Sequence, residues 1–199
     1  MTTTTDTARI VPTLNLEYRK GNIFENVNST TLLVHACNAQ GVWGRGIALE
    51  FKRRYPKAFK EYQAHCRRVD PAELLGDSLL ISPPDSSNST PFIGCLFTRI
   101  NYGPPTVTER AYGYEKGVLE NTASAMEALL DRIVFDVEAG LYSQTSITEI
   151  RMPKINSGRF NVEWSLTEEV LKRIEVPPEL ESLRTVIIYE PEEVALRDQ

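Results

Sequence analysis

Residues 34–48 read VHACNAQGVWGRGIA and are the most informative segment of the sequence. It begins inside a short apolar run, residues 30–37, which is typical of a buried strand. Three glycines follow, and the helical spacing of apolar residues starts directly after the last of them, Gly46. A loop between a buried strand and a helix start presents free backbone amides and the positive end of a helix dipole to one small space. The stretch therefore predicts a site for a phosphate-bearing ligand.

The three glycines do not form one of the common nucleotide-binding motifs. No G-x-x-x-x-G-K-[ST] stands here, and Gly41, Gly44 and Gly46 run in the reverse order of a dinucleotide fingerprint. Glycine also marks ordinary turns, so turn formation alone is an alternative explanation for this loop.

A second segment repeats the arrangement. Residues 152–160 read MPKINSGRF, in which a strand pattern ends in a loop of small residues ahead of a predicted helix. Two such loops on one sheet suit a diphosphate, or a nucleotide that carries an additional phosphate.

Strand and helix patterns alternate along the rest of the chain. Strands are expected over residues 14–18, 30–37, 78–82, 92–98, 149–155 and 184–190. Helices are expected over residues 47–55, 57–68 and 114–133, and after an S-x-x-E capping box at residues 165–168. This alternation predicts an α/β fold whose mostly parallel sheet is covered on both faces, with ligands beyond the carboxyl ends of the strands.

Composition narrows the class of protein. The 199 residues carry a formal charge of −5, which argues against a nucleic-acid-binding surface. Three cysteines about 30 residues apart form no CxxC pair, so we expect neither disulfides nor a metal site. We find no signal peptide or membrane segment, and we therefore expect a cytoplasmic or nuclear protein.

Three motifs, taken in order, resemble those of macrodomains. They are KGNI at residues 20–23, HACNAQGVWGRGIA at 35–48 and PKINSGRF at 153–160, and they are most similar to the fungal ADP-ribose 1″-phosphate phosphatase branch. The resemblance implies a three-layer α/β/α fold with a mixed central sheet of about six strands. It implies one macrodomain over residues 14–190. From their composition, we expect residues 1–13 to form a flexible, Thr-rich lead and residues 191–199 a charged, loosely held tail.

The resemblance also implies a ligand and its contacts. The ligand is a small ADP-ribose-type nucleotide, and we expect a monomer that uses no cofactor. Asn22 and Ile23 would meet the adenine. The substrate-binding residues of the first loop, around the distal ribose and its terminal phosphate, would be Gly41, Val42, Trp43, Gly44, Arg45 and Gly46. Those of the second loop, which would cradle the diphosphate, are Asn156, Ser157, Gly158, Arg159 and Phe160.

Several of these side chains have a structural alternative. Phe160 could pack on a ribose or anchor its loop in the core. Trp43 could form a wall of the site or plug the loop, and Arg45 could contact phosphate or remain solvated. His35 and Asn38 are the candidate catalytic residues, His35 as acid or base and Asn38 as orienter. A buried structural histidine is the competing interpretation of His35.

Three activities follow from the resemblance. The first is hydrolysis of the terminal phosphate of ADP-ribose 1″-phosphate, a molecule linked in this family to tRNA-splicing by-products. The second is removal of ADP-ribose from proteins, for which a related subgroup uses a lysine and an aspartate. The corresponding positions here are Arg99 and Phe160. An arginine does not readily form the covalent adduct and a phenylalanine cannot take a proton, so this mechanism is disfavoured. The third is binding of ADP-ribose without a reaction.

Overall fold

A computed structural model describes residues 11–84, 88–141 and 147–192 of the chain. Most of the expected lead, residues 1–10, and of the expected tail, residues 193–199, lies outside the described residues, as do residues 85–87 and 142–146. Within the lead, the carbonyl of Pro12 accepts a hydrogen bond from the amide of Val176, and Thr13 pairs with Glu175.

Six strands form one sheet. They are β1 Asn15–Lys20, β2 Thr31–Asn38, β3 Ser78–Ile81, β4 Phe92–Arg99, β5 Glu149–Pro153 and β6 Thr185–Glu190. Their order in the sheet is β1-β6-β5-β2-β4-β3. All neighbours are parallel except β3, which runs antiparallel to β4 at one edge. The sheet confirms the predicted mixed architecture, and five of its six strands end at the same edge.

Helices cover both faces of the sheet. They are α1 Gly46–Arg54, α2 Pro56–Arg68, α3 Pro71–Leu74, α4 Val107–Ala111, α5 Tyr114–Glu138 and α6 Trp164–Leu171, with a 3₁₀ helix over Pro178–Leu183. On β2, Leu32 and Val34 pack in the core beneath α5 and α6, whereas Leu33 and Cys37 pack in the core beneath α1 and α2. The alternation of side chains along a strand thus supplies two separate cores.

The longest helix lies close against the middle of the sheet. Every residue of β4 is buried, and Gly94 stands where α5 crosses it. A Cβ at Gly94 would lie 3.0 Å from a Leu129 methyl group and 3.1 Å from a Val34 methyl group, so a larger residue would require these side chains to shift. Among the described helices, none combines the length and the apolar character needed to cross a bilayer.

The predicted capping box at residues 165–168 is wrong. The helix starts one residue earlier, at Trp164, with Glu163 as the N-cap and no capping side-chain bond. The indole N–H of Trp164 instead donates to the hydroxyl of Tyr18 at 3.0 Å, which anchors the helix start to β1. A true capping box precedes α4, where the Thr106 side chain accepts from the Glu109 amide and Glu109 accepts from the Thr106 amide.

Candidate active site

A cavity of about 1200 Å³ lies at the edge where the parallel strands end. Its walls are the segments that follow β1, β2, β4, β5 and β6, namely residues 21–25, 42–48, 102–104, 153–160 and 191–192. Pockets for drug-sized ligands hold roughly 300–1000 Å³, so a molecule as large as a dinucleotide fits here. The position agrees with the general rule for ligand sites in open α/β sheets.

All of the sequence-predicted site residues except Gly41 and His35 line this cavity. Gly41 has a φ of +73°, and a Cβ there would meet Cys66 and Gln63 of α2 rather than the cavity. Its contribution is the turn that carries the loop away from β2. Ile23 and Phe160 are buried and still line the cavity, whereas Arg45 and Arg159 are exposed at its wall.

The first loop is held from within by Asn38. Its side-chain oxygen accepts from the amides of Gln40 at 3.1 Å and Val42 at 3.2 Å, and its NH₂ group donates to the Val42 carbonyl at 2.6 Å. The Tyr62 hydroxyl of α2 donates to the Asn38 carbonyl at 2.5 Å. Both ends of the Asn38 carboxamide are thus occupied, which makes it a brace for the loop.

The start of α1 supplies free amides to the cavity. Arg45 is the N-cap but provides no capping side-chain bond, and the first turn holds no acidic residue. The N–H groups of Gly46, Ile47 and Ala48 therefore lack intrahelical partners, and all three residues line the cavity. Gly46 has a φ of +57°, a conformation that favours glycine. This arrangement confirms the predicted junction of loop and helix dipole.

The second loop is held by long-range bonds of Asn156, whose φ is +63°. Its side-chain oxygen accepts from the Thr98 hydroxyl at 3.1 Å, and its NH₂ group donates to Thr122 at 2.9 Å and Thr167 at 3.5 Å. Within the described part of the chain, the amides of residues 157–160 have no hydrogen-bond partner. Helix α6 begins beyond the cavity wall, so this loop offers amides without the helix start that its sequence led us to expect.

At the adenine end predicted from the resemblance, Asn22 caps its own turn. Its side-chain oxygen accepts from the amide of Phe24 at 3.1 Å. The buried guanidinium of Arg151 donates to the carbonyls of Ile23 at 3.2 Å and Glu25 at 2.6 Å. Arg151 therefore fixes this wall from behind, over more than 120 residues of sequence, and no local pattern could have revealed it.

A second buried arginine fixes the opposite wall. Arg99, at the end of β4, donates to both carboxylate oxygens of Glu109 at 2.8 and 3.0 Å and to the carbonyl of Gly103. The pKa of Glu109 is lowered to about 2, first by the hydrogen bond from the Thr106 amide and then by Arg99. Arg99 does not line the cavity, because its guanidinium lies over the rings of Tyr114 and Phe160.

Tyr114 connects this arginine to the second loop. Its hydroxyl donates to the Phe160 carbonyl at 2.6 Å. Burial raises the pKa of Tyr114, which keeps the hydroxyl protonated and able to donate. Phe160 is 8% exposed, lies beneath the Arg99 guanidinium and belongs to the cavity wall, and its contact with a ribose stays a prediction.

His35 does not reach the cavity. Its side chain is fully buried, stacks on Phe51 with ring centres 4.0 Å apart and lies 4.7 Å from the ring of Trp43. The reason is the alternation of side chains along β2, which turns His35 toward α1. The structure thus favours the structural alternative for His35. Trp43 is 1% exposed and stacks on Tyr62 at 4.9 Å, so it plugs the loop as well as forming part of the wall.

The Macro domain family model matches residues 34–171 of this sequence. The chain belongs to the macrodomain family. It is 38% identical over 168 residues to the ADP-ribose 1″-phosphate phosphatase of Chaetomium globosum, covering 82% of this chain and 85% of that protein. It is 34% identical over 171 residues to the enzyme of the same name from Meyerozyma guilliermondii, covering 81% of this chain and 94% of that protein.

Similar solved structures confirm the fold. The macrodomain of Mycobacterium tuberculosis DarG superimposes with a TM-score of 0.57 at 22% identity, covering 89% of this chain and 98% of that one. Thermosipho africanus DarTG in complex with ADP-ribose gives a TM-score of 0.58 at 20% identity, covering 92% of this chain and 44% of that one. Both similarities concern the fold alone.

Proposed function

We propose that this macrodomain hydrolyses ADP-ribose 1″-phosphate to ADP-ribose and inorganic phosphate. The observation that carries the proposal is that two loops with unpartnered backbone amides open into one cavity, one of them at the start of α1. A substrate with a central diphosphate and a separate terminal phosphate needs two such anion sites. The phosphatases named above, similar over most of their length, support the same substrate.

The walls suggest how the substrate lies. The adenine would occupy the end lined by Asn22 and Ile23, the diphosphate would meet the amides of residues 157–160, and the terminal phosphate would meet the start of α1. In this orientation the most strongly charged group lies against the positive end of a helix dipole.

The reaction is attack of water on the terminal phosphorus. A bond forms from the water oxygen to phosphorus, and the bond from phosphorus to the C1″ oxygen breaks. The departing oxygen takes one proton, and ADP-ribose leaves with a hydroxyl group. The amides of Gly46, Ile47 and Ala48 would stabilise the charge that develops on the phosphoryl oxygens. Asn38 acts as a positioning residue that keeps the preceding loop in place, and the buried His35 has no step in this mechanism.

Hydrolysis of ADP-ribosylated proteins is a weaker candidate. The position that corresponds to the catalytic lysine of the related subgroup holds Arg99, which is 6% exposed and paired with Glu109. The position of its aspartate holds Phe160. From the resemblance, we also propose that the substrate originates in tRNA-splicing by-products and that the protein acts as a monomer. From the sequence, we propose that it acts in the cytoplasm or nucleus.

The test is a steady-state assay of phosphate release from ADP-ribose 1″-phosphate, run beside an assay of ADP-ribose release from ADP-ribosylated protein. We expect phosphate release and no ADP-ribose release. His35→Phe, which keeps the ring packing, should retain turnover within about threefold, whereas loss of an acid–base catalyst costs about 10²- to 10⁴-fold. Tight binding of ADP-ribose without phosphate release would make the protein a binding module and refute the proposal.

A further inference from the structure

Three metal-binding side chains meet in the core behind the cavity. His35 and Cys37 lie on β2, and Cys95 lies on β4 directly opposite His35 in the parallel register. One nitrogen of His35 and the two sulfurs lie within 4.8 Å of one another, and all three residues are buried. The Cys37 sulfur is 3.5 Å from Nε2 and 3.7 Å from Nδ1 of His35. The spacing of these three residues along the chain does not indicate the cluster, because β2 and β4 are neighbours only in the folded sheet.

The surroundings of the cluster are apolar and rigid. Phe51 stacks on the imidazole of His35, and the Trp43 ring packs against its edge. The indole N–H of Trp43 is buried and has no hydrogen-bond partner in the described part of the chain. This aromatic packing keeps water away from the three ligand atoms.

We propose that His35, Cys37 and Cys95 form a binding site for a soft monovalent metal ion, copper(I) or silver(I). Thiolate and imidazole are the ligands that such ions prefer. Binding would release the proton of one thiol to solvent. The thiolate that remains and the monovalent ion have opposite charges, so the dry core carries no net charge. A divalent ion would need two thiolates for the same balance, and a structural zinc ion takes four ligands where the described residues offer three.

The cluster lies close to the cavity. Of its three residues, Cys37 is also part of the cavity wall, although it is only 1% exposed. Cys37 directly precedes Asn38, and His35 packs on Trp43 of the first loop. A bound ion would therefore lie immediately behind the loop that we assign to the terminal phosphate.

The test is an anaerobic titration of the reduced protein with copper(I), in competition with the chromogenic chelator bathocuproine disulfonate. We expect the wild type to withdraw one copper(I) ion per chain from the chelator. Cys37→Ala and Cys95→Ala should each weaken this binding by more than about tenfold, the loss typical of removing even an outer partner of a ligand. Cys66→Ala is the matched control, because Cys66 is also a buried free thiol but lies outside the cluster.

A second measurement needs no variant. X-ray absorption of the copper-loaded wild type should show a ligand shell of two sulfurs and one nitrogen. Copper that stays with the chelator, a shell without two sulfurs, or a Cys66→Ala variant that loses as much affinity as the other two would each overturn the proposal. None of these readouts depends on phosphatase activity.

Discussion

Asn38 and Asn156 hold the two loops of the cavity in different ways. Each stands at or just after the end of a parallel strand, each is 5% exposed, and each uses both ends of its carboxamide. Most side-chain hydrogen bonds of Asn38 join it to Gln40 and Val42, within four residues, and one more comes from the Tyr62 hydroxyl of α2 at 3.2 Å. Those of Asn156 go to β4, α5 and α6, as far as 58 residues away.

Asn38 therefore holds its loop mainly through nearby residues, whereas Asn156 holds its loop through distant strands and helices. The first loop is largely organised by its own sequence, so changes there should alter ligand binding more than folding. The second loop takes its shape from the way the sheet and two helices meet, so changes at its brace should weaken the whole fold.

The largest expected effect is that of Asn156→Ala. It removes the partner of three buried threonine hydroxyls, and we expect a loss of about 3 kcal/mol in the free energy of unfolding, measured by urea denaturation. Asn161→Ala is the matched control, because Asn161 also has a positive φ, +54°, but is exposed. It should cost about 1 kcal/mol, for backbone strain alone. Equal losses in the two variants would show that the long-range bonds contribute nothing.

Next in size is the effect of Gly46→Val on affinity. Its φ of +57° excludes a β-branched side chain, so the free amides at the start of α1 should be displaced. We expect ADP-ribose 1″-phosphate to bind about 30-fold more weakly by calorimetry, equivalent to about 2 kcal/mol.

Gly44→Ala is the matched control for that variant. Gly44 has no positive φ, and an added Cβ would meet only a Val42 methyl group at 3.4 Å. It should bind within about threefold of the wild type. Of these two glycines, only Gly46 has a backbone conformation that favours glycine. Normal affinity in Gly46→Val would remove the start of α1 from the proposed site.

Asn38→Asp should discriminate between ligands. Aspartate can still accept from the amides of Gln40 and Val42, but it loses the bond to the Val42 carbonyl and adds negative charge beside the first loop. We expect ADP-ribose 1″-phosphate to bind about tenfold more weakly, or ~1.4 kcal/mol, and ADP-ribose to lose much less. An equal loss for both ligands would place the terminal phosphate away from this loop.

The smallest effect concerns the wall braced by Arg99. Glu109 has a pKa of about 2 in the folded protein against an ordinary value of 4.5, because the Thr106 amide and Arg99 stabilise its charged form. A lowered pKa stabilises the fold above the unfolded value and loses that effect as the pH falls toward the folded value. Glu109→Gln should therefore cost about 1 kcal/mol at pH 7, given its partial exposure. In urea denaturation the difference from wild type should shrink between about pH 5 and pH 2; a constant difference would exclude the charge as its cause.

Local sequence patterns were sufficient to predict the strands, the long α5 helix and the first loop. The reason is that the spacing of apolar residues and the position of glycines reflect structure within a few residues. Local patterns were not sufficient where the same residue spacing forms different structures at two places in the chain. Residues 165–168 and 106–109 both show the capping-box pattern, but only the second forms a capping box. Local patterns also did not predict the buried position of His35 or the hydrogen bonds of Asn156, Arg99 and Arg151. Their partners are determined by how distant elements of the chain pack together.

In the mechanism that we propose, water attacks the terminal phosphorus within this cavity. The most direct test is hydrolysis of ADP-ribose 1″-phosphate by the wild-type protein in ¹⁸O-labelled water, with the inorganic phosphate analysed by mass spectrometry. Attack at phosphorus predicts one ¹⁸O atom in each phosphate released. Unlabelled phosphate would mean that the bond between C1″ and its oxygen is cleaved instead, and it would contradict the proposed mechanism.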